Sequence, residues 1–188
     1  MSPFEYVSVL ISIILAMGIT QILTGITDII HKKDRVRLCV RHLLWVVFIF
    51  FLHLQEWWVT YDLRHISAWS LRSSIVILLY PIVLFILARL VFPRDSEKEG
   101  VIDYVKFYLD NYRELFQWSI ILSVLTIFDN MLNRHPPDYY ILPTCLIFIF
   151  STFLIFKVRD PWAHNILVFA LLAFLLFVML FHDIVISI

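Results

Sequence analysis

The chain has 188 residues, of which 61% are hydrophobic and 16% charged, and its mean hydropathy is +0.87. A soluble domain averages about 25% charged residues, so we expect most of this chain to face lipid. The formal net charge is zero and no basic run is long enough to follow a phosphate backbone, which argues against nucleic acid as a partner. Two cysteines are too few for a disulfide framework or a zinc site.

Six apolar stretches are long enough to cross a bilayer core, which requires about 20 helical residues. Helices are expected because only they satisfy their own backbone groups in lipid without closing into a barrel. The sequence therefore predicts one all-α transmembrane domain over residues 1–188. Its predicted spans are residues 4–30, 42–62, 73–92, 114–133, 139–157 and 164–187, with a cytoplasmic amphipathic helix over residues 101–113.

Lys and Arg residues are distributed unequally between the two sides of this predicted bundle. Twelve belong to the side that holds the loop after the first span, and three belong to the other side. An excess of Lys and Arg marks the cytoplasmic side, which predicts that both termini lie outside. The opening MSPFEYVSVL lacks the basic segment of a secretory signal, so we expect the first span to be retained.

Several polar side chains fall near the predicted outer ends of the spans. An ionised side chain at the bilayer centre costs about 2.5–3.5 kcal/mol, so such groups usually face the bundle interior or a wet cavity. His53 and Glu56 are three residues apart and share a helix face. The alternative is a belt of tryptophans and tyrosines at the headgroup layer, with the carboxylates simply touching water. We predict an ion, proton or small-solute site formed by Glu56, His53, Asp129, Asn130 and Glu5.

A second polar feature follows one face of the first span. Gly18, Gln21, Gly25 and Asp28 are separated by three, four and three residues, which is the spacing of a single stripe on a helix. Small residues in such a stripe let another helix approach closely, and a glutamine can hydrogen-bond across the contact. The stripe predicts a packing seam, inside the bundle or between subunits. The alternative is an inner vestibule lined by Thr20, Gln21, Thr24 and Asp28.

The histidines favour a different class of function. His42 and His53 are eleven residues apart, and His164 and His182 are eighteen apart, so each pair lies on one helix face. Histidines on facing helices hold the haem groups of membrane b-type cytochromes. This alternative predicts a haem b between His53 and His182. His42 and His164 also lie beside cytoplasmic charges, where no special role is expected.

The opening SPFEYVSVLISIILAMGITQILTG, together with HLLW and HLQEWW in the second span, resembles a group of small bacterial polytopic membrane proteins of uncharacterised function. The resemblance covers mainly the first third of the chain. It implies a bacterial inner-membrane location and carries no activity with it.

No catalytic motif is present, so no catalytic residues are predicted. The leading expectation is a homo-oligomeric channel or transporter that needs no cofactor and has the lipid bilayer as its surroundings. The first alternative is a haem b or quinone-linked redox protein. The second is a non-catalytic membrane subunit that serves an unidentified protein partner.

Overall fold

The structure, a computed structural model, describes residues 2–66, 69–93, 101–133, 141–156, 158 and 160–181, without the side chains at positions 129–133, 141–144, 156, 178, 180 and 181. These ranges are predominantly helical. They contain six α-helices: α1 Pro3–His31, α2 Val40–Val59, α3 Leu71–Leu90, α4 Tyr104–Asn133, α5 Ile141–Phe156 and α6 Pro161–Phe181. Two short strands, β1 Val36–Arg37 and β2 Ile102–Asp103, lie between helices.

Three of the helical segments are long and apolar enough to cross a membrane. They are α1, α2 with the 3-10 turn that extends it to His65, and α3. Shorter apolar stretches occur at Cys145–Ile155 in α5 and Pro161–Phe177 in α6. The expectation of a helical protein with helices long and apolar enough to cross a membrane is therefore confirmed.

The helix boundaries follow from local chemistry. The Ser2 hydroxyl accepts a hydrogen bond from the Glu5 backbone N–H at 3.1 Å, and the Glu5 carboxylate accepts one from the Ser2 N–H at 2.7 Å. This reciprocal capping box starts α1. Ser70 and Ser73 form the same arrangement at the start of α3. The amphipathic helix predicted over residues 101–113 runs into the span predicted over residues 114–133, and most of both belong to the continuous helix α4.

The helices pack around one apolar core. α1 contacts α3 and α2, α3 contacts α4, α4 contacts α5, and α6 packs against α2. Five helices each contribute a side chain that is at most 1% exposed: Ile11, Trp45, Leu84, Phe116 and Val168. α2 contacts α1, α3 and α6, and its His42 and His53 side chains are buried.

The two strands pair the charged segment after α1 with the charged segment before α4. β1 and β2 are parallel, with Val36 opposite Ile102 and Arg37 opposite Asp103. The Arg37 guanidinium lies 3.4 Å from the Asp103 carboxylate. Asp103 also caps α4, because its Oδ1 accepts the backbone N–H groups of Val105 and Lys106 at 2.8 and 3.1 Å. The Lys106 N–H, the Val105 N–H and the Arg37 charge lower the pKa of Asp103.

Candidate functional site

The most unusual polar residue within the apolar helices is His53 on α2. Its side chain is 0% exposed. Nδ1 lies 2.8 Å from the backbone carbonyl oxygen of Ile49, one turn earlier in the same helix. A carbonyl oxygen only accepts hydrogen bonds, so Nδ1 carries the hydrogen and the neutral ring keeps a lone pair on Nε2. Nε2 has no hydrogen-bond partner among the residues that the structure describes.

Gly18 on α1 provides the space for this imidazole. A Cβ atom at Gly18 would overlap the His53 ring, with Nε2 the nearest atom. Both residues are buried, so neither side of the contact opens to solvent. Because Gly18 has no side chain, the α1 backbone can lie close to the His53 ring, next to the nitrogen Nε2 that carries the lone pair. The stripe predicted on α1 therefore meets a histidine of α2 within one chain.

The rest of the stripe contacts α3 and the segment that follows it. A Cβ at Gly25 would overlap the ring of Phe92. The Gln21 side-chain oxygen accepts a hydrogen bond of 2.9 Å from the Arg89 guanidinium. Asp28 is half-buried and lines a small cavity of about 20 Å³ together with Tyr104. These contacts are those of a packing seam inside the bundle.

The other predicted site residues are distributed more widely. Glu56 is half-buried on α2, one turn beyond His53. Glu5 is exposed, and its carboxylate caps α1.

Asp129 and Asn130 belong to the helical backbone of α4, but their side chains lie outside the described part of the chain. His182, the second haem ligand of the redox alternative, also lies outside the described residues. Gly18 and His53 are thus the pair that the structure brings together.

A central cavity of about 120 Å³ lies on the other side of α2, between α2, α3, α4, α5 and α6. Its lining is largely apolar, with Trp45, Phe48 and Phe174 among the aromatic members. Polar groups enter it from Gln55 on α2 and from three hydroxyl residues on α4, which are Ser119, Ser123 and Thr126.

The spacing of these hydroxyl residues on α4, four residues and then three, is a helical stripe that the sequence contains. The polar cavity predicted from the sequence lies near Glu56 and Asp129, and that prediction did not include this stripe. The spacing of these three hydroxyl residues was the sequence signal from which the cavity could have been predicted.

The chain matches no protein-family model, no curated protein and no solved structure. In the part of the chain that the structure describes, no group of three or more His, Cys, Asp and Glu side chains is arranged to hold a metal ion. A function can therefore be inferred only from the geometry of His53 and of the central cavity.

A second buried polar cluster lies at the ends of α2, α4 and α6 that face the predicted cytoplasm. His42 and His164, for which no special role was expected beside the predicted cytoplasmic charges, are buried, with exposed fractions of 1% and 2%. The His42 Nε2 donates to the backbone oxygen of Val91 at 2.6 Å. The Tyr108 hydroxyl lies 2.9 Å from Nδ1 of His164, and the His164 Nε2 lies 3.3 Å from the Val158 oxygen.

Arg41 completes this cluster. Its Nε donates to the Asn165 side-chain oxygen at 2.7 Å, and its guanidinium carbon lies 4.9 Å from the centre of the Tyr108 ring. Burial raises the pKa of Tyr108, so the phenol stays protonated and donates to His164. Burial, with a smaller contribution from the charge of Asp28, raises the pKa of Tyr104 to about 12. The cluster joins three helices through neutral donors and one arginine.

Proposed function

We propose that the chain is a bacterial inner-membrane protein that spans the membrane six times, has both termini outside, and passes protons or small cations as a homo-oligomer. In this proposal His53 accepts the proton, and Glu56 and Asp129 lie on its outer side. The observation that carries the proposal is the fully buried His53 whose Nε2 lone pair has no hydrogen-bond partner among the described residues.

The chemistry of His53 supports this role. Histidine is the side chain whose charge ordinarily changes near neutral pH. A ring whose Nδ1 hydrogen is donated to Ile49 has one remaining basic nitrogen, and that nitrogen is not used in tertiary hydrogen bonding to the described residues. Glu56 follows by one turn and is about 4.5 Å further along the helix axis at 1.5 Å per residue. In this proposal a water molecule joins the half-buried Glu56 carboxylate to His53, because a general acid or base acts within hydrogen-bond reach or through one water.

The same geometry favours a proton site over the haem alternative. Nδ1 of His53 is engaged with its own helix, so Nε2 is the nitrogen left for an iron atom. Nε2 faces the backbone of α1 at Gly18. A porphyrin bound there would have to displace α1 from α2, whereas a proton needs no additional space.

The oligomer and the topology have their own support. Among the described residues, the central cavity holds about 120 Å³ and the cavity near Asp28 holds about 20 Å³. One bundle therefore offers little room for a continuous water-filled path, and a second copy would enlarge it. The strong excess of Lys and Arg on one side supports the orientation with both termini outside.

Cysteine labelling tests the topology in a background that lacks Cys39 and Cys145. Single cysteines at positions 65 and 135 should react with an impermeant reagent in intact cells. Single cysteines at positions 34 and 97 should react only after permeabilisation. Labelling of position 97 in intact cells would overturn the proposed orientation.

Proton flux into liposomes tests the function. We expect flux through the wild type, and a loss of at least about tenfold for His53→Gln, since removal of a positioned proton-transfer group costs two or more powers of ten in favourable cases. Glu56→Gln and Asp129→Asn should reduce flux and change its pH dependence. His65→Gln is the matched control, because His65 is exposed in the turn after α2. Unchanged flux through folded His53→Gln would sink the proposed site, and no flux through the wild type would favour the role of a subunit that requires a partner.

A further inference from the structure

The central cavity has the size of a single small ring. Its volume is about 120 Å³, and an engineered apolar cavity of about 150 Å³ is known to bind benzene. Trp45, Phe48 and Phe174 contribute aromatic surface to its wall. Flat aromatic walls favour a flat ring, because offset and edge-to-face contacts are then available.

The hydroxyl groups on α4 restrict the kind of ring that fits. Ser119 donates its hydroxyl hydrogen to the Leu115 oxygen at 2.9 Å, and Ser123 donates to the Ser119 oxygen at 2.9 Å. Thr126 donates to the Leu122 oxygen at 3.1 Å. Each hydroxyl therefore presents only its oxygen lone pairs to the cavity, as an acceptor. A molecule that carries a hydroxyl hydrogen complements these acceptors, whereas one with only carbonyl or ether oxygens leaves them unpaired.

The cavity can be reached laterally, from the surface that α5 and α6 form around the bundle. Phe174 of α6 lines the cavity and is 40% exposed, and Ile147 of α5 lines it and is half-buried. α5 and α6 share few contacts among the described residues. The seam between these two helices is thus the route by which a molecule dissolved in lipid would enter.

We propose that the central cavity binds a lipid-soluble molecule with a hydroxylated six-membered ring, of the phenol or quinol class. The ring lies against the aromatic wall and its hydroxyl donates to Ser119 or Ser123. His53 does not line this cavity, so the binding site is distinct from the proton site and its test needs no proton gradient.

The binding test compares 4-fluorophenol with 4-fluoroanisole, using the full chain in lipid nanodiscs and ¹⁹F NMR titrations. The two probes have similar rings, but only the phenol can donate a hydrogen bond. We expect the phenol to bind about tenfold more tightly, which corresponds to one net hydrogen bond of about 1.4 kcal/mol. Empty nanodiscs correct for partition into the lipid. Equal affinity of the two probes would overturn the proposal.

Two variants locate the binding. Ser123→Leu fills the cavity and should abolish binding of both probes. The double variant Ser119→Ala with Ser123→Ala keeps the space but removes two acceptors, so the phenol should bind no more tightly than the anisole. Ser151→Ala is the matched control, since Ser151 is buried on α5 and does not line the cavity.

If Ser123→Leu does not fold, the double alanine variant decides the question. A phenol preference that persists in that folded variant contradicts the site. If the wild type conducts protons but does not bind the phenol, the binding proposal fails and the proposed function stands. If it binds the phenol but does not conduct protons, the proposed function fails and the binding proposal stands.

Discussion

His53 and His164 are both almost completely buried, yet their surroundings differ in kind. His164 is held by two other parts of the chain, because Tyr108 of α4 approaches its Nδ1 and the Val158 oxygen approaches its Nε2. His53 makes its hydrogen bond to Ile49 of its own helix, and its other nitrogen faces the α1 backbone at Gly18.

The difference separates a structural histidine from a candidate functional one. A ring with both nitrogens in hydrogen bonds has no unused lone pair, so uptake of a proton by His164 would require the Tyr108 hydroxyl to turn from donor to acceptor. A ring with one unused lone pair can take up a proton without breaking a bond. Burial alone does not distinguish the two histidines, whereas the hydrogen bonds of each nitrogen do.

The largest effect is expected at the Gly18 contact with His53. Gly18→Leu should lower the free energy of unfolding by about 3 kcal/mol, because overpacking a buried contact costs roughly 1–3 kcal/mol or more. Unfolding by SDS in mixed micelles measures this change. Gly25→Leu is the matched comparison and should cost less, since Phe92 is half-buried beyond the end of α3 and its ring can move.

A double-mutant cycle sharpens this prediction. His53→Ala should recover much of the stability lost in Gly18→Ala, because the new Cβ would then meet open space. If the two substitutions are additive, the ring of His53 does not occupy the space above Gly18.

The second effect concerns Tyr108. Tyr108→Phe should lower the free energy of unfolding by about 2 kcal/mol, since it leaves the buried Nδ1 of His164 without its donor, which costs roughly 1–3 kcal/mol. Tyr112→Phe, in the same aromatic cluster, is the control and should cost less. An equal cost for the two variants would remove the distinction between His164 and His53.

A smaller effect is expected at Arg41. Arg41→Lys keeps the charge but loses the planar group that bonds to Asn165 and lies over Tyr108. We expect a loss of about 1 kcal/mol, the usual size of one hydrogen bond or one partly desolvated cation–π contact. Asn165→Ala should produce no further loss in the Arg41→Lys background if the two side chains act as a pair.

The smallest effect concerns Asp103 and depends on pH. The folded-state pKa of Asp103 is below its ordinary value of 3.8, so its charge stabilises the fold above that pH and the stabilisation is lost as the pH falls through the folded pKa. The melting temperature of Asp103→Asn should therefore lie below that of the wild type at pH 7, and the gap should narrow toward pH 3. A gap that widens on acidification would contradict the capping role.

The sequence predicted what is encoded locally. Apolar runs predicted the helices, and the spacing of Gly18 and Gly25 predicted a close helix contact. The partner at Gly18 was not predictable, because His53 comes from another helix and its rotation depends on the whole bundle. The burial of His164 was missed for the same reason: its covering residue, Tyr108, lies 56 positions away. Neighbouring charges in the sequence did not reveal that α4 covers both His42 and His164.

The parallel pairing of β1 with β2 has a consequence for how the polypeptide can be divided. The segment after α1 and the segment before α4 are held in register by main-chain hydrogen bonds and by Arg37 with Asp103. α3 also packs directly on α4, and α2 packs on α6. These contacts therefore hold the first three helices against the last three, in addition to the covalent connection at residues 94–100. Two fragments that end at residue 93 and begin at residue 101 carry complementary docking surfaces of their own.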